Sequence, residues 1–158
     1  MELAFNLSTR LAYQHKSLID IIEGLSDEQI RRQIISGKWS IFENIVHLQT
    51  YQHIFVKRIE QILENNNPSF SRYTAEADPA YLDNCEKSFR EIMHDLITVR
   101  KQLAATLNSL SSVQLKKTGT HPVFGVMTVS QWLNFFLLHE AHHLYTILNL
   151  AAALKKSY

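Results

Sequence analysis

"NNNPSFSRYTAEA", residues 65–77, separates two helical stretches and decides how they run relative to one another. Ahead of it lies an amphipathic segment, about 40–64, that opens at Ser40 with Glu43 three positions on. That pair is a capping box: hydroxyl and carboxylate each satisfy a backbone N–H that the first helical turn leaves unpaired. Behind the stretch, Asp78-Pro79 supplies an N-cap and a first-turn proline. A helix of about 25 residues is roughly 38 Å long at 1.5 Å per residue. A linker of about 13 extended residues reaches roughly 43 Å, whereas a simple reversal needs only about 2–8 residues. The spacing therefore predicts a crossover that lets the second and third helices run parallel.

Two further long helices complete the pattern. The first, about 2–23, ends near Gly24. The third runs from Asp78 to about Ser109, and the fourth opens at Thr128 with Gln131 as a second capping box. "LSDEQI" at 25–30 and "LSSVQL" at 110–115 read as short capped turns after the first and third helices, a faint internal repeat. Four Gly and three Pro leave little room for tight turns. The expectation is an all-α four-helix bundle with one long crossover between helices 2 and 3, a single domain over residues 1–158.

Composition narrows the function. With 46% hydrophobic and 20% charged residues, the chain can bury a core. Its 16 basic and 15 acidic residues are scattered, with no basic stripe for nucleic acid and no polybasic face for a membrane. The most apolar segment, 129–154, carries Gln131, Asn134, His139, Glu140, His142, His143 and Asn149, too polar for a bilayer span. Cys85 has no partner for a disulfide, and "MELAFNLSTR" lacks the apolar run of a signal peptide, so a cytoplasmic setting is expected.

The chemistry concentrates in "FLLHEAHHLYTIL", 136–148. At about 100° per residue, Trp132, Phe136, His139, His143, Ile147, Leu150 and Leu154 fall within an arc of about 80°, with Glu140 at its edge. Two imidazoles one turn apart suit a metal. The His139-Glu140-x-x-His143 spacing is also that of a zinc protease helix, yet no His, Asp or Glu follows His143 to complete such a site. A di-iron bundle would need a second inward Glu-x-x-His. Glu91-x-x-His94 has that spacing but lies on the outer face of the third helix, opposite Phe89, Ile92, Leu96 and Leu103. A remaining ligand must come from upstream. His47, two turns inside the Ser40 cap and near Tyr51 at the margin of an apolar arc, is best placed; His53 lies outside the arc, and His15 on the first helix stays open.

Three segments in this order resemble the DinB/YfiT-like family of four-helix metalloenzymes. "KWSIFENIVHL" resembles the family's entry to helix 2, and "HPVFGVMTVSQWLNFFLLHEAHHLYTIL" its helix 4 region; the stretch between fits the crossover and helix 3. The resemblance implies a metal triad of His47, His139 and His143, and a homodimer. Glu140 stands where the family commonly has Asp and is expected as a catalytic base or as a hydrogen-bond partner of a ligand histidine.

Three neutral imidazoles leave a divalent ion with open positions, as in a catalytic site. Zn, Ni and Fe all accept imidazole, so the ligands do not choose among them. The resemblance implies action on a small molecule, either by hydrolysis or as a thiol S-transferase using a low-molecular-weight thiol. The contrasting expectation is a non-enzymatic, stress-related dimer with a structural or vestigial metal site. His121 and Trp39 sit in loops leading to helices 4 and 2, and Tyr51 follows His47 by one turn. For each of the three, packing is the simpler role, and lining the pocket the functional one. Cys85 reads as a small buried hydrophobe.

Overall fold

The computed structural model describes residues 3–156. The second helix forms as α4 (Ile41–Glu64), its capping box at Ser40 and Glu43 intact. The fourth, α8, runs over Val129–Lys156. Thr128 accepts from the Gln131 N–H at 3.3 Å, and the Gln131 amide oxygen accepts from the Thr128 N–H at 2.8 Å. Both short turns form as well, as α3 (Asp27–Arg31) capped by Ser26 and Gln29 and α7 (Ser112–Leu115) capped by Ser111 and Gln114.

The other two long helices are broken. The first is α1 (Phe5–Tyr13) and α2 (Ser17–Ile22), joined by a 3-10 turn at Gln14–Lys16; its expected start at residue 2 lies outside the described residues. The third is α5 (Pro79–Cys85), opened by Asp78, and α6 (Phe89–Ser109). A capping box of Ser88 and Glu91 restarts the chain at α6. The Glu91 of the apparent Glu-x-x-His motif is thus spent on a helix start, and His94 is exposed.

Contacts between helices set the topology. Gln49 meets Asp95, and Gln52 meets both the Leu96 carbonyl and Arg100. Partner numbers rise together, so α4 and α6 run parallel, as the long linker requires. Asn44 meets His143 and His47 meets His139, so α8 runs antiparallel to α4. No described helix is long and apolar enough to cross a membrane.

Apolar side chains gather in two cores, one per end of the bundle. One holds Ile41 to Leu48 of α4, Ile92 to Leu96 of α6 and Leu144 to Leu154 of α8; the other holds Tyr51 to Ile62, Leu103, Leu107 and Val129 to Leu137. Between them lies a polar waist in which the histidines sit.

A small hairpin, β1 (Thr118–His121) and β2 (Gly125–Thr128), precedes α8, where the sequence reads only as a loop. It anchors the crossover: Thr120 donates to the Pro68 carbonyl at 2.8 Å, and Phe70 donates to the Thr120 carbonyl at 3.0 Å. A Cβ at Gly119 would come within 2.7 Å of Ile62 and 2.9 Å of Phe70, so only glycine permits this approach.

Candidate metal centre

His47 is 6% exposed and is brought by α4 against two half-buried residues of α8, His139 and His143. Their ring centroids are 4.5–5.0 Å apart, and one nitrogen from each lies within 4.8 Å of the other two. The Nε2 atoms of His47 and His139 face each other at 3.0 Å. The cluster contains no carboxylate and no thiol.

Asn44 decides the tautomer of His143. Its Nδ2 donates to the carbonyl of the cap residue Ser40 at 2.8 Å, which turns its Oδ1 toward His143 Nδ1 at 2.9 Å. That oxygen can only accept, so Nδ1 carries the proton and Nε2 keeps its lone pair. The same arrangement, a ligand imidazole held by an oxygen acceptor, is general at metal centres. His47 and His139 have no such support: the Nδ1 atoms of both are buried without a hydrogen-bond partner.

All three rings are held neutral. Burial, the largest cause, and then the neighbouring imidazoles lower each pKa to about 3. One set of observations fits a divalent cation: three neutral nitrogens converge, and the Nε2 atoms of His47 and His139 face each other across 3.0 Å, a close approach of two lone pairs that a cation between them relieves.

Aromatic rings wall the cluster. The Trp39 indole packs on His47 at 5.0 Å and stacks on His143 at 6.1 Å, and Tyr51 packs on His139 at 4.4 Å. Tyr73, from the crossover, closes over His47 at 5.9 Å and donates its hydroxyl to Asp78 at 3.0 Å. A cleft of about 660 Å³ opens beside Trp39 and reaches the cluster through His143 and Asn44.

Glu140 does not join the cluster. Helical periodicity puts the histidines at the centre of the buried face and Glu140 at its edge; the structure reverses this, with Glu140 only 2% exposed. The reason is that α8 packs on two sides, against α4 and against α1–α2, so the middle of its buried face falls between the stripes. The Glu140 carboxylate is paired with the equally buried Arg100 and accepts from Gln14 Nε2 at 2.9 Å. Arg100 also donates to Gln52 Oε1 at 2.6 Å and to His15 Nδ1 at 3.3 Å. This accounts for His15, whose pKa falls to about 4 through burial and then the Arg100 charge. The 3-10 turn begins at Gln14, whose Nε2 also donates to the Leu137 carbonyl at 2.8 Å. The carboxylate expected to act as a base is therefore occupied in a buried, paired network.

The remaining candidates have structural duties. His121 Nδ1 accepts from the Val123 and Phe124 N–H groups and holds the hairpin turn. His53 pairs with Asp95 on the far side of α4. Cys85 is a half-buried free thiol whose pKa is raised by burial. Sequence reasoning missed Asn44 and Tyr73, although Asn44 stands one turn before His47 in the capped segment, where a side chain on the same face is expected.

Comparisons with known proteins bear on the family and the fold. Residues 10–147 match the model of the DinB superfamily. The uncharacterized protein YuaE of Bacillus subtilis is 31% identical over 135 residues, covering 78% of this chain and 83% of YuaE. A protein of Oceanobacillus iheyensis named as a candidate metal-dependent hydrolase is 24% identical over 127 residues, 80% of this chain and 73% of that one. Among solved structures, YfiT of Bacillus subtilis superposes with a TM-score of 0.83 at 20% identity, over 95% of this chain and 86% of YfiT; it is described as a candidate metal-dependent hydrolase with an unusual four-helix bundle topology. TT2238, a four-helix bundle protein, gives 0.61 at 18% identity, over 90% and 95% of the two chains.

Proposed function

This chain belongs to the DinB superfamily, and from that premise we propose that it is a metal-dependent hydrolase of a small molecule, with His47, His139 and His143 holding one divalent ion. The observation that carries the reading is the convergence of three neutral histidine nitrogens beside an open cleft. The name of the Oceanobacillus relative supports hydrolysis over other metal chemistry.

When bound, such an ion supplies Lewis acidity to polarise a substrate carbonyl and to activate water. The chain's own part is positional. Asn44 holds His143 in the tautomer with a free Nε2, and burial keeps all three rings deprotonated. Trp39, Tyr51 and Tyr73 shield the cluster on its remaining sides and limit water to the cleft. Glu140 takes no part in proton transfer in this reading, because its oxygens are engaged by Arg100 and Gln14.

The test measures metal content in protein purified without added metal, alongside hydrolysis of a panel of neutral esters and amides. About one ion per wild-type chain is expected, none in His47→Ala, and hydrolysis that stops on chelation and returns with metal. Metal-free wild type, or equal occupancy in the variant, would sink the triad and favour a non-enzymatic bundle. Product formed only with an added low-molecular-weight thiol would replace hydrolysis by thiol transfer.

A further inference from the structure

The cleft beside the cluster carries information about what enters it. One wall is the loop before α4, with Ile35 and Trp39; the other is the outer face of α8, with Tyr145 and Thr146. Ile35 and Tyr145 are 53% and 66% exposed, although each has a large apolar side chain. Large apolar groups left in water on both walls of a concave site favour an apolar occupant. Trp39 has one part of its indole against His47 and His143 and still borders the cleft, which provides a flat surface leading to the reaction centre.

The charges at this cleft are sparse and opposed. Lys38 and Glu76 line it, beside the imidazole of His142, and neither Lys38 nor Glu76 forms a salt bridge among the described residues. One charge of each sign gives no net attraction for an anion or a cation; phosphate or carboxylate recognition would be expected to use clustered or bidentate arginine. The inner end is polar, where Asn44 and His143 meet the cleft.

We propose that the substrate is an uncharged small molecule with a flat apolar body, lying between Ile35, Trp39 and Tyr145, whose polar carbonyl-type head reaches His143. This rests on the reading of the histidine cluster as the reaction centre. It adds that the body is recognised by burial of apolar surface and not by charge.

Fluorescence titration with N-phenyl-1-naphthylamine, a neutral flat probe, tests this on the full chain, with the anionic analogue 8-anilinonaphthalene-1-sulfonate as the contrast. One saturable site is expected, with the neutral probe bound more tightly. Ile35→Ala and Tyr145→Ala should each weaken it roughly threefold to tenfold, the loss of about 1 kcal/mol of apolar contact. The double variant Ile35→Asp/Tyr145→Asp should abolish it, while Leu148→Asp, at an exposed α8 position that does not line the cleft, leaves it unchanged. Metal content measured on the same samples should stay at the wild-type level in the double aspartate variant, so a failure of the metal reading (no ion in wild type, probe bound) and a failure of the cleft reading (ion bound, no saturable probe site) give different results. Equal affinity for the anionic probe, or binding that survives the double aspartate variant in folded protein, would overturn the proposal.

Discussion

Two buried polar centres lie on either side of α8, and residues adjacent in sequence belong to different ones. His139 faces α4 and the histidine cluster; Glu140 faces Gln14 in the 3-10 turn and Arg100 of α6. In the second centre the charges are paired, and Arg100 is shared among Glu140, Gln52, His15 and the Leu11 carbonyl. In the first, the Nε2 atoms of His47 and His139 face each other with no charged partner in the cluster, their Nδ1 atoms have no hydrogen-bond partner among the described residues, and the centre opens onto a cleft. Burying a polar group without a partner costs stability, so a folded chain keeps such groups where something else satisfies them. A paired network holds a structure together; convergent lone pairs with no cation among them mark where one would go.

The contrast predicts different responses to mutation. The largest effect falls on the paired network. Glu140→Ala leaves Arg100 buried and unpaired and should cost about 3–5 kcal/mol in urea unfolding, while Glu140→Leu with Arg100→Met recovers much of it. Whatever fraction of Glu140→Ala stays folded should still bind metal, since the two centres are separate; loss of binding there would merge them into one functional unit.

The open centre should respond to ligand. Divalent ion at about a hundred times its Kd should stabilise the wild type by about 2.7 kcal/mol. His143→Ala should show no such gain, and its metal-free melting temperature should lie close to the wild type's. A large metal-free destabilisation would show that the cluster is itself structural.

Asn44 sharpens the comparison within the open centre, because it gives one of three histidines the hydrogen-bond support found throughout the paired network. Asn44→Leu should lower metal affinity by about 10–100-fold. In metal-free protein, nitrogen-detected NMR should show the His143 proton on Nδ1 in the wild type and redistributed between Nδ1 and Nε2 in the variant. An unchanged tautomer would remove Asn44 from the centre.

The smallest effect is a pH dependence. His15 has a folded pKa of about 4, below its ordinary 6.5, so the unfolded chain binds more protons between those values. Its contribution is present in full above about pH 6.5 and is lost as pH falls toward 4. Unfolding midpoints from pH 7 to pH 4.5 should therefore decline less steeply in His15→Gln than in the wild type. Parallel curves would mean that His15 binds protons alike in the folded and unfolded chain.

What could be read from the sequence was local or one-dimensional. Capping boxes at Ser40, Thr128, Ser26 and Ser111 are visible because both halves lie within one turn. The crossover is visible because its length alone decides whether it can span a helix. His139 and His143 share a face by helical periodicity, and the resemblance supplied His47. Ser88-x-x-Glu91 was equally local, yet Glu91 also completes a Glu-x-x-His spacing, and only the break before α6 shows which pattern the chain uses. The hairpin's strands, four residues each, are too short for alternation to stand out from a loop.

Other features depend on residues far apart in the chain. Asn44 meets His143 across 99 positions, and Arg100 meets Glu140 across 40. Periodicity reports which residues share a face of a helix, but not how many neighbours that helix has. Because α8 is packed from two sides, its buried face is wider than its apolar stripe. That tertiary fact, which no local pattern encodes, sends Glu140 into the interior and leaves the histidines at the margin, where a ligand can reach them.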